Sequence, residues 1–287
     1  MDPPESYDLI AHGLLTELLV SLVSPFGQGE AEKIPGWQSK AEAFIIKNFN
    51  RDLTVEQLAD RVAYELSRNE YYGDAYPSVN MDAFGPGVVS AFLGANLDNS
   101  TGNVWFHPAE EKEIADLHFA YDPENPWLVR VRNVCEALVD RLEDKALVSM
   151  PDLGGILDIL AVFRPGEQLL MDLYDAPEEV QRLTEEIHAV WMAVYSDLNG
   201  VLHKNGLGYT DWSGIYSDKP SYIMQSDFCY MISPSSFDEF VFDDARKMCN
   251  ELERSVWHLD GVGELKHLDK LLSIDRLNGV QWVPGAG

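Results

Sequence analysis

Apolar residues recur at helical spacing from Asp8 to Leu22, the mark of an amphipathic helix. A Gly/Pro-punctuated stretch from Ser24 to Gly36 reads as a loop. Thr54-Val55-Glu56-Gln57 then has the form of a helix start, Thr54 capping it while Gln57 reaches back to the cap's N–H. Residues 1–70 are thus expected to be a helical segment, and from Tyr72 the texture changes. Short β-branched or apolar runs alternate with longer helical stretches. The expected strands are Ser78–Met81, Asn103–Phe106, Ala146–Met150, Tyr222–Ser226, Ser255–Leu259 and Gly279–Val283. Between the third and fourth, Ala176-Pro177-Glu178-Glu179 opens a helix with an acidic first turn and proline inside it. Its apolar stripe is Val180, Leu183, Ile187, Val190 and Trp191. Strands separated by helices imply βαβ units and a mostly parallel sheet in one domain over 71–287.

Several strands end alike, in a polar or Gly/Pro turn: Pro151-Asp152-Leu153-Gly154-Gly155, Asp227-Phe228-Cys229, His258-Leu259-Asp260-Gly261 and Pro284-Gly285-Ala286-Gly287. In parallel barrels the reactive groups stand after the carboxyl ends of the strands, so these turns point to one rim. The strands are fewer than the eight of a closed barrel.

Charge narrows the partners. Lys and Arg number 21 against 48 Asp and Glu, a net charge of -27. A field of that sign repels nucleic-acid phosphates and anionic lipid, leaving a small molecule as the expected substrate. The three cysteines, Cys135, Cys229 and Cys249, are widely spaced without a CxxC, which suits a reducing cytoplasm. The apolar run from Leu14 to Val23 is interrupted by Glu17 and is too short to span a bilayer.

Tyr222–Phe228 runs into Ile232-Ser233-Pro234-Ser235-Ser236-Phe237-Asp238-Glu239-Phe240-Val241, which resembles the S-P-x-x-F-x-E-F helix entry of the uroporphyrinogen decarboxylase-like superfamily. That superfamily includes the decarboxylases themselves and cobalamin-dependent methyltransferases. Ser255–Gly261 and Gly279–Gly287 are similar to its next two strand ends. Weaker echoes stand at Gly85-Pro86-Gly87, Leu153–Asp158 and Leu170–Pro177, so the resemblance covers roughly residues 70–287. It implies a (β/α)8 TIM barrel with the pocket at the strands' carboxyl ends. About one quarter of such a barrel would then lie beyond Gly287, the expectation for a truncated chain.

The decarboxylases carry an N-terminal arginine-rich signature that meets substrate carboxylates. No such run occurs here, where Arg51, Arg61 and Arg68 fall on loop or helix faces. The methyltransferase branch uses zinc to lower the pKa of a thiol that attacks a corrinoid-bound methyl group. Its ligands include a His-x-Cys pair, to which His258-Leu259-Asp260 is similar with aspartate in place of cysteine. Residues i and i+2 of a strand share a face, so both side chains can meet one ion. The resemblance thus implies His258, Asp260 and Cys229 as metal ligands, and Asp227, Asp260 and His258 as catalytic groups. Asp152, Trp212, Tyr216 and Trp282 are the expected substrate-binding residues.

Plainer roles stand beside these. His258 can be a core histidine bonded to Asp260, Asp227 a loop brace, and Cys229 a small buried hydrophobe. Asp152 is the expected pocket residue and Asp158 a helix-face one, while Trp212 and Tyr216 form a lid or a plug. His107, His118, Trp105 and Trp127 default to structural roles. Three functions follow. The first is a corrinoid-linked methyltransferase with a corrinoid protein as partner. The others are decarboxylation of a tetrapyrrole or similar carboxylated substrate, and a non-catalytic barrel fragment.

Overall fold

The computed structural model describes residues 54–284, apart from 74, 82–83 and 101–102. The helix expected over Asp8–Leu22, the loop Ser24–Gly36 and the turn Gly285–Gly287 lie outside the described residues.

Helix α1 (Val55–Leu66) begins as its sequence dictates. Gln57 N–H donates to Thr54 Oγ1 at 3.2 Å, and Thr54 N–H donates to Gln57 Oε1 at 3.0 Å. Its apolar face, Leu58, Ala59 and Val62, is buried. Strand β1 (Ser78–Val79) is followed by a short helix α2 (Val89–Phe92), then by strands β2 (Asn96–Asp98) and β3 (Trp105–His107). The last two form an antiparallel pair. The strand expected at Asn103–Phe106 therefore does not join the parallel set. Trp105 and His107 are exposed and Phe106 only half-buried, whereas a parallel strand covered on both faces needs a continuous apolar run.

Helix α3 (Pro126–Leu142) starts where Asn125 accepts from the N–H groups of Trp127 and Leu128, with proline at its first position. It packs against α1 and leads to strand β4 (Leu147–Val148), parallel to β1. Helices α4 (Ile156–Phe163), α5 (Gln168–Asp175) and α6 (Pro177–Leu202) follow. The stripe anticipated for α6, Val180, Leu183, Ile187, Val190 and Trp191, is buried throughout. Trp191 Nε1 donates to Gly154 O at 3.0 Å, fastening α6 to the turn after β4. Trp191, Tyr195 and Tyr222 form an aromatic cluster there.

The second parallel group has the order β5 (Ser221–Met224), β6, β7. Helices α7 (Pro234–Phe240) and α8 (Phe242–Glu251) connect β5 to β6 (Arg254–Asp260), and α9 (Leu268–Leu272) lies before β7 (Gly279–Val283). The two groups are joined by Thr210 and Asp211. Met150 N–H donates to Thr210 O at 2.9 Å, and Ile223 N–H donates to Asp211 Oδ2 at 2.8 Å. The residues around Thr210 thus run between β4 and β5. Among the described residues β1 pairs with β4, and β7 pairs with β6.

Strand β6 sets the orientation of the site. Ser255, Trp257 and Leu259 are buried, and Trp257 faces Phe237 of α7 at 6.4 Å between ring centroids. Val256, His258 and Asp260 point to the other face and are half-buried. Register with β7 places Gln281 beside His258 and Val283 beside Asp260. No helix among the described residues is long and apolar enough to cross a membrane.

Candidate metal centre

Asp227, His258 and Asp260 come together at the carboxyl ends of β5 and β6, one potential ligand atom of each lying within 4.8 Å of the others. Strand periodicity supplies the last two, and the turn after β5 supplies Asp227, which is exposed. His258 Nδ1 lies 2.5 Å from Gln281 Oε1. With the proton on Nδ1 donated to that oxygen, Nε2 keeps its lone pair. The partner of His258 is therefore Gln281 rather than Asp260. The Trp212 ring stands nearly perpendicular to the imidazole, 5.1 Å between centroids.

The supports are acidic too. Asp158, in the first turn of α4, accepts from Asp227 N–H at 3.0 Å and Phe228 N–H at 2.8 Å, so it holds the turn that carries Asp227. Glu264, in the 3-10 turn Val262–His267, accepts from Asp260 N–H at 3.2 Å through Oε2. Its other oxygen, Oε1, is buried without a hydrogen-bond partner among the described residues. The sequence pattern places Asp158 on a helix face and does not single out Glu264 or Gln281. A polar residue opposite a candidate ligand in the next strand is the available signal for Gln281. For Glu264, four residues beyond Asp260, there is none.

Burial and mutual repulsion push these carboxyls upward. Glu264 rises to about 8, through burial first and then the charge of Asp227. Asp152 rises to about 7, chiefly from burial. Asp158 is likewise raised, by burial first, and Asp227, although exposed as a whole residue, is raised by the partial loss of hydration at its carboxyl, with His258 opposing the shift. The charges that shape all four are other carboxylates and His258, with no lysine or arginine among them. Such an environment favours a cation.

Other expected residues fall elsewhere. Asp152 is buried and accepts from the N–H groups of Gly154 and Gly87 at 2.8 and 3.3 Å, so it shapes the turn after β4. Cys229 is buried outside the ligand trio, its thiol pushed well above its ordinary pKa by burial. Tyr216 lines a surface pocket of about 410 Å³ with Pro77 and Leu147, beside the amino-terminal ends of β1 and β4. Trp282 is paired in register with Leu259 and shares its side of the sheet, opposite His258 and Asp260. Trp212 alone of the expected aromatic residues borders the trio.

The chain matches no protein-family model and no curated protein. Among solved structures it is similar to a methyltransferase from Methanosarcina mazei, with 11% sequence identity and a TM-score of 0.53. The likeness covers 68% of this chain and 54% of that one, so the chain spans about half the length of this neighbour. At that identity the likeness is one of fold.

Proposed function

We propose that this chain is a methyltransferase-like enzyme on a (β/α)8-type framework, with a divalent metal held by Asp227, His258 and Asp260. The observation that carries the reading is the convergence of one imidazole and two carboxylates within 4.8 Å at the strand ends. The donor set fits zinc, which accepts histidine nitrogen and carboxylate oxygen, and three protein ligands leave a position for substrate. When bound, the metal would lower the pKa of a thiol or similar nucleophile for attack on a methyl group. A corrinoid protein is the methyl carrier proposed as partner.

The chain's own residues prepare that chemistry. Gln281 sets the His258 tautomer, Asp158 and Glu264 hold the backbone of Asp227 and Asp260, and Trp212 stands beside the imidazole. Cys229 contributes no accessible thiolate, so the ligands are harder than the His-x-Cys arrangement. The all-acidic surroundings favour a neutral or cationic substrate over a polycarboxylate, which weighs against the decarboxylase reading.

Metal content and zinc titration of the wild type and of His258→Ala test the assignment, with methyl transfer from methylcobalamin to a thiol as the activity. Near-stoichiometric zinc, lost together with transfer in the variant, is expected. Equal zinc content and equal transfer in both proteins would remove the metal from His258.

A further inference from the structure

Asp227 and Asp260 come from different parts of the chain, and the turns beside them are tied together away from the trio itself. Asp227 opens the 3-10 turn Asp227–Tyr230, whereas Asp260 ends β6 just before the 3-10 turn Val262–His267. The first turn is held at both ends. Its leading N–H groups, of Asp227 and Phe228, donate to Asp158 of α4. Its trailing carbonyls are taken by the second turn. His267 Nε2 donates to Cys229 O at 3.0 Å, and Lys266 Nζ donates to Tyr230 O at 2.9 Å. The Tyr230 ring also lies against Gly261 and Gly263, so closely that a Cβ on Gly263 would overlap it. Glu264 of the second turn accepts from Asp260 N–H and so carries the tie to β6.

Of these ties, the one from His267 is the most firmly placed. His267 is buried, and its ring stacks on Phe237 of α7, 4.4 Å between centroids and 14° between planes. A carbonyl can only accept, so the ring carries its proton on Nε2, while Nδ1 has no partner among the described residues. Burial holds the pKa below the ordinary histidine value and keeps the ring neutral. We propose that His267 is a positioning residue of the metal centre. Its bond to Cys229 O fixes the Asp227 turn against the turn that follows Asp260, and so sets the spacing of these two ligands. This rests on the metal reading above and adds a residue that touches no ion. Ligands held in place by such outer contacts are oriented before the ion arrives.

Zinc titration of the wild type, His267→Phe and His267→Gln tests this, with circular dichroism to verify folding. Amide hydrogen exchange of Phe228–Tyr230 in the metal-free proteins is the second readout. Phenylalanine keeps the stack on Phe237 and loses the donor, whereas glutamine loses the stack and keeps an N–H to donate. His267→Phe is expected to bind zinc roughly tenfold more weakly, as on losing outer support, and to exchange those amides faster. His267→Gln is expected to bind zinc nearly as the wild type does. A merely structural histidine would lower stability in both variants and leave the zinc affinity of the folded proteins unchanged. Unchanged affinity in folded His267→Phe, or equal weakening in both variants, therefore overturns the positioning role. If neither variant folds, Tyr230→Ala, which removes an exposed ring from the same contact, decides. Weaker zinc binding with faster exchange then supports the role, and wild-type values overturn it. A wild type that binds no zinc overturns the metal reading itself, and the exchange rates still report whether His267 holds the two turns together.

Discussion

His258 has one ring nitrogen committed to Gln281, and this bond decides which nitrogen is offered to an ion. Gln281→Leu keeps the bulk of the side chain and removes the acceptor. Zinc affinity is expected to fall roughly tenfold to a hundredfold, the usual effect of losing a ligand's outer partner, as titration will read. At Asp152 the expected effect is on stability. Its folded pKa of about 7 lies above the ordinary aspartate value, so the folded state holds a proton that the unfolded state releases. Stability from this group is therefore full at low pH and declines as pH climbs from about 4 to about 7. Asp152→Asn retains an acceptor for Gly154 and Gly87 without the titration. Its melting temperature is expected to vary less than that of the wild type across the same window, and an unchanged slope would contradict it. Residues were legible in proportion to how local their cause was. His258 and Asp260 were singled out by their resemblance to a His-x-Cys pair, the two-residue period of a strand putting both on one face, and Asp227 by its place after a strand. Asp158 and Glu264 reach their partners only through tertiary folding, which no spacing announces. Trp282 misled because a strand's rim offers two faces, and its side was fixed by register with Leu259.

At the level of elements, the site depends on how closely α4 approaches the end of β5. A Cβ on Gly155 would lie 2.2 Å from Gln225 O and 2.4 Å from Asp158 Oδ2. Backbone cannot yield at such a distance without moving α4. Gly155→Ala is accordingly expected to destabilise the fold by about 1–3 kcal/mol, the range for overpacking, and to loosen the Asp158 bonds to the Asp227 turn. Chemical denaturation measures the first effect and zinc affinity the second. Farther from the strands, His188 of α6 faces two acids of α8, with Nδ1 2.5 Å from Asp244 and Nε2 3.4 Å from Glu251. Burial pulls its pKa down, but the two acids outweigh this and hold it above the ordinary value. Nearby, Lys247 of α8 pairs with Glu185 of α6. The tie is complete below about pH 6.5 and is lost as pH rises through the folded pKa. His188→Gln should therefore lower stability on the order of 1–3 kcal/mol at pH 6 and less at pH 9, by denaturation at each pH. The helices themselves were readable from capping at Thr54 and from the apolar stripe of α6. The β2–β3 pair was not, because a short half-exposed run has the same composition in a hairpin as at the edge of a parallel sheet.

Across the whole molecule, a net charge of -27 sets two electrostatic effects side by side. Self-repulsion is a long-range property of the surface and is screened by any salt, the Debye length shrinking from roughly 30 Å at 0.01 M to roughly 8 Å at 0.15 M. Adding sodium chloride is thus expected to raise the melting temperature whether or not the strand ends bind anything. A divalent ion at the Asp227–His258–Asp260 centre acts differently, because it binds the folded state at one place and stabilises it in proportion to the logarithm of its concentration. At a hundredfold excess over the dissociation constant, that is about 2.7 kcal/mol. The two are separable at constant ionic strength. Exchanging part of the sodium chloride for a matched strength of zinc or manganese chloride should raise the melting temperature further in the wild type. His258→Ala should keep the salt response and lose most of the divalent increment. If the variant keeps both, the ions are being gathered by the acidic surface as a whole, and the convergence of the strand ends has no special hold on them.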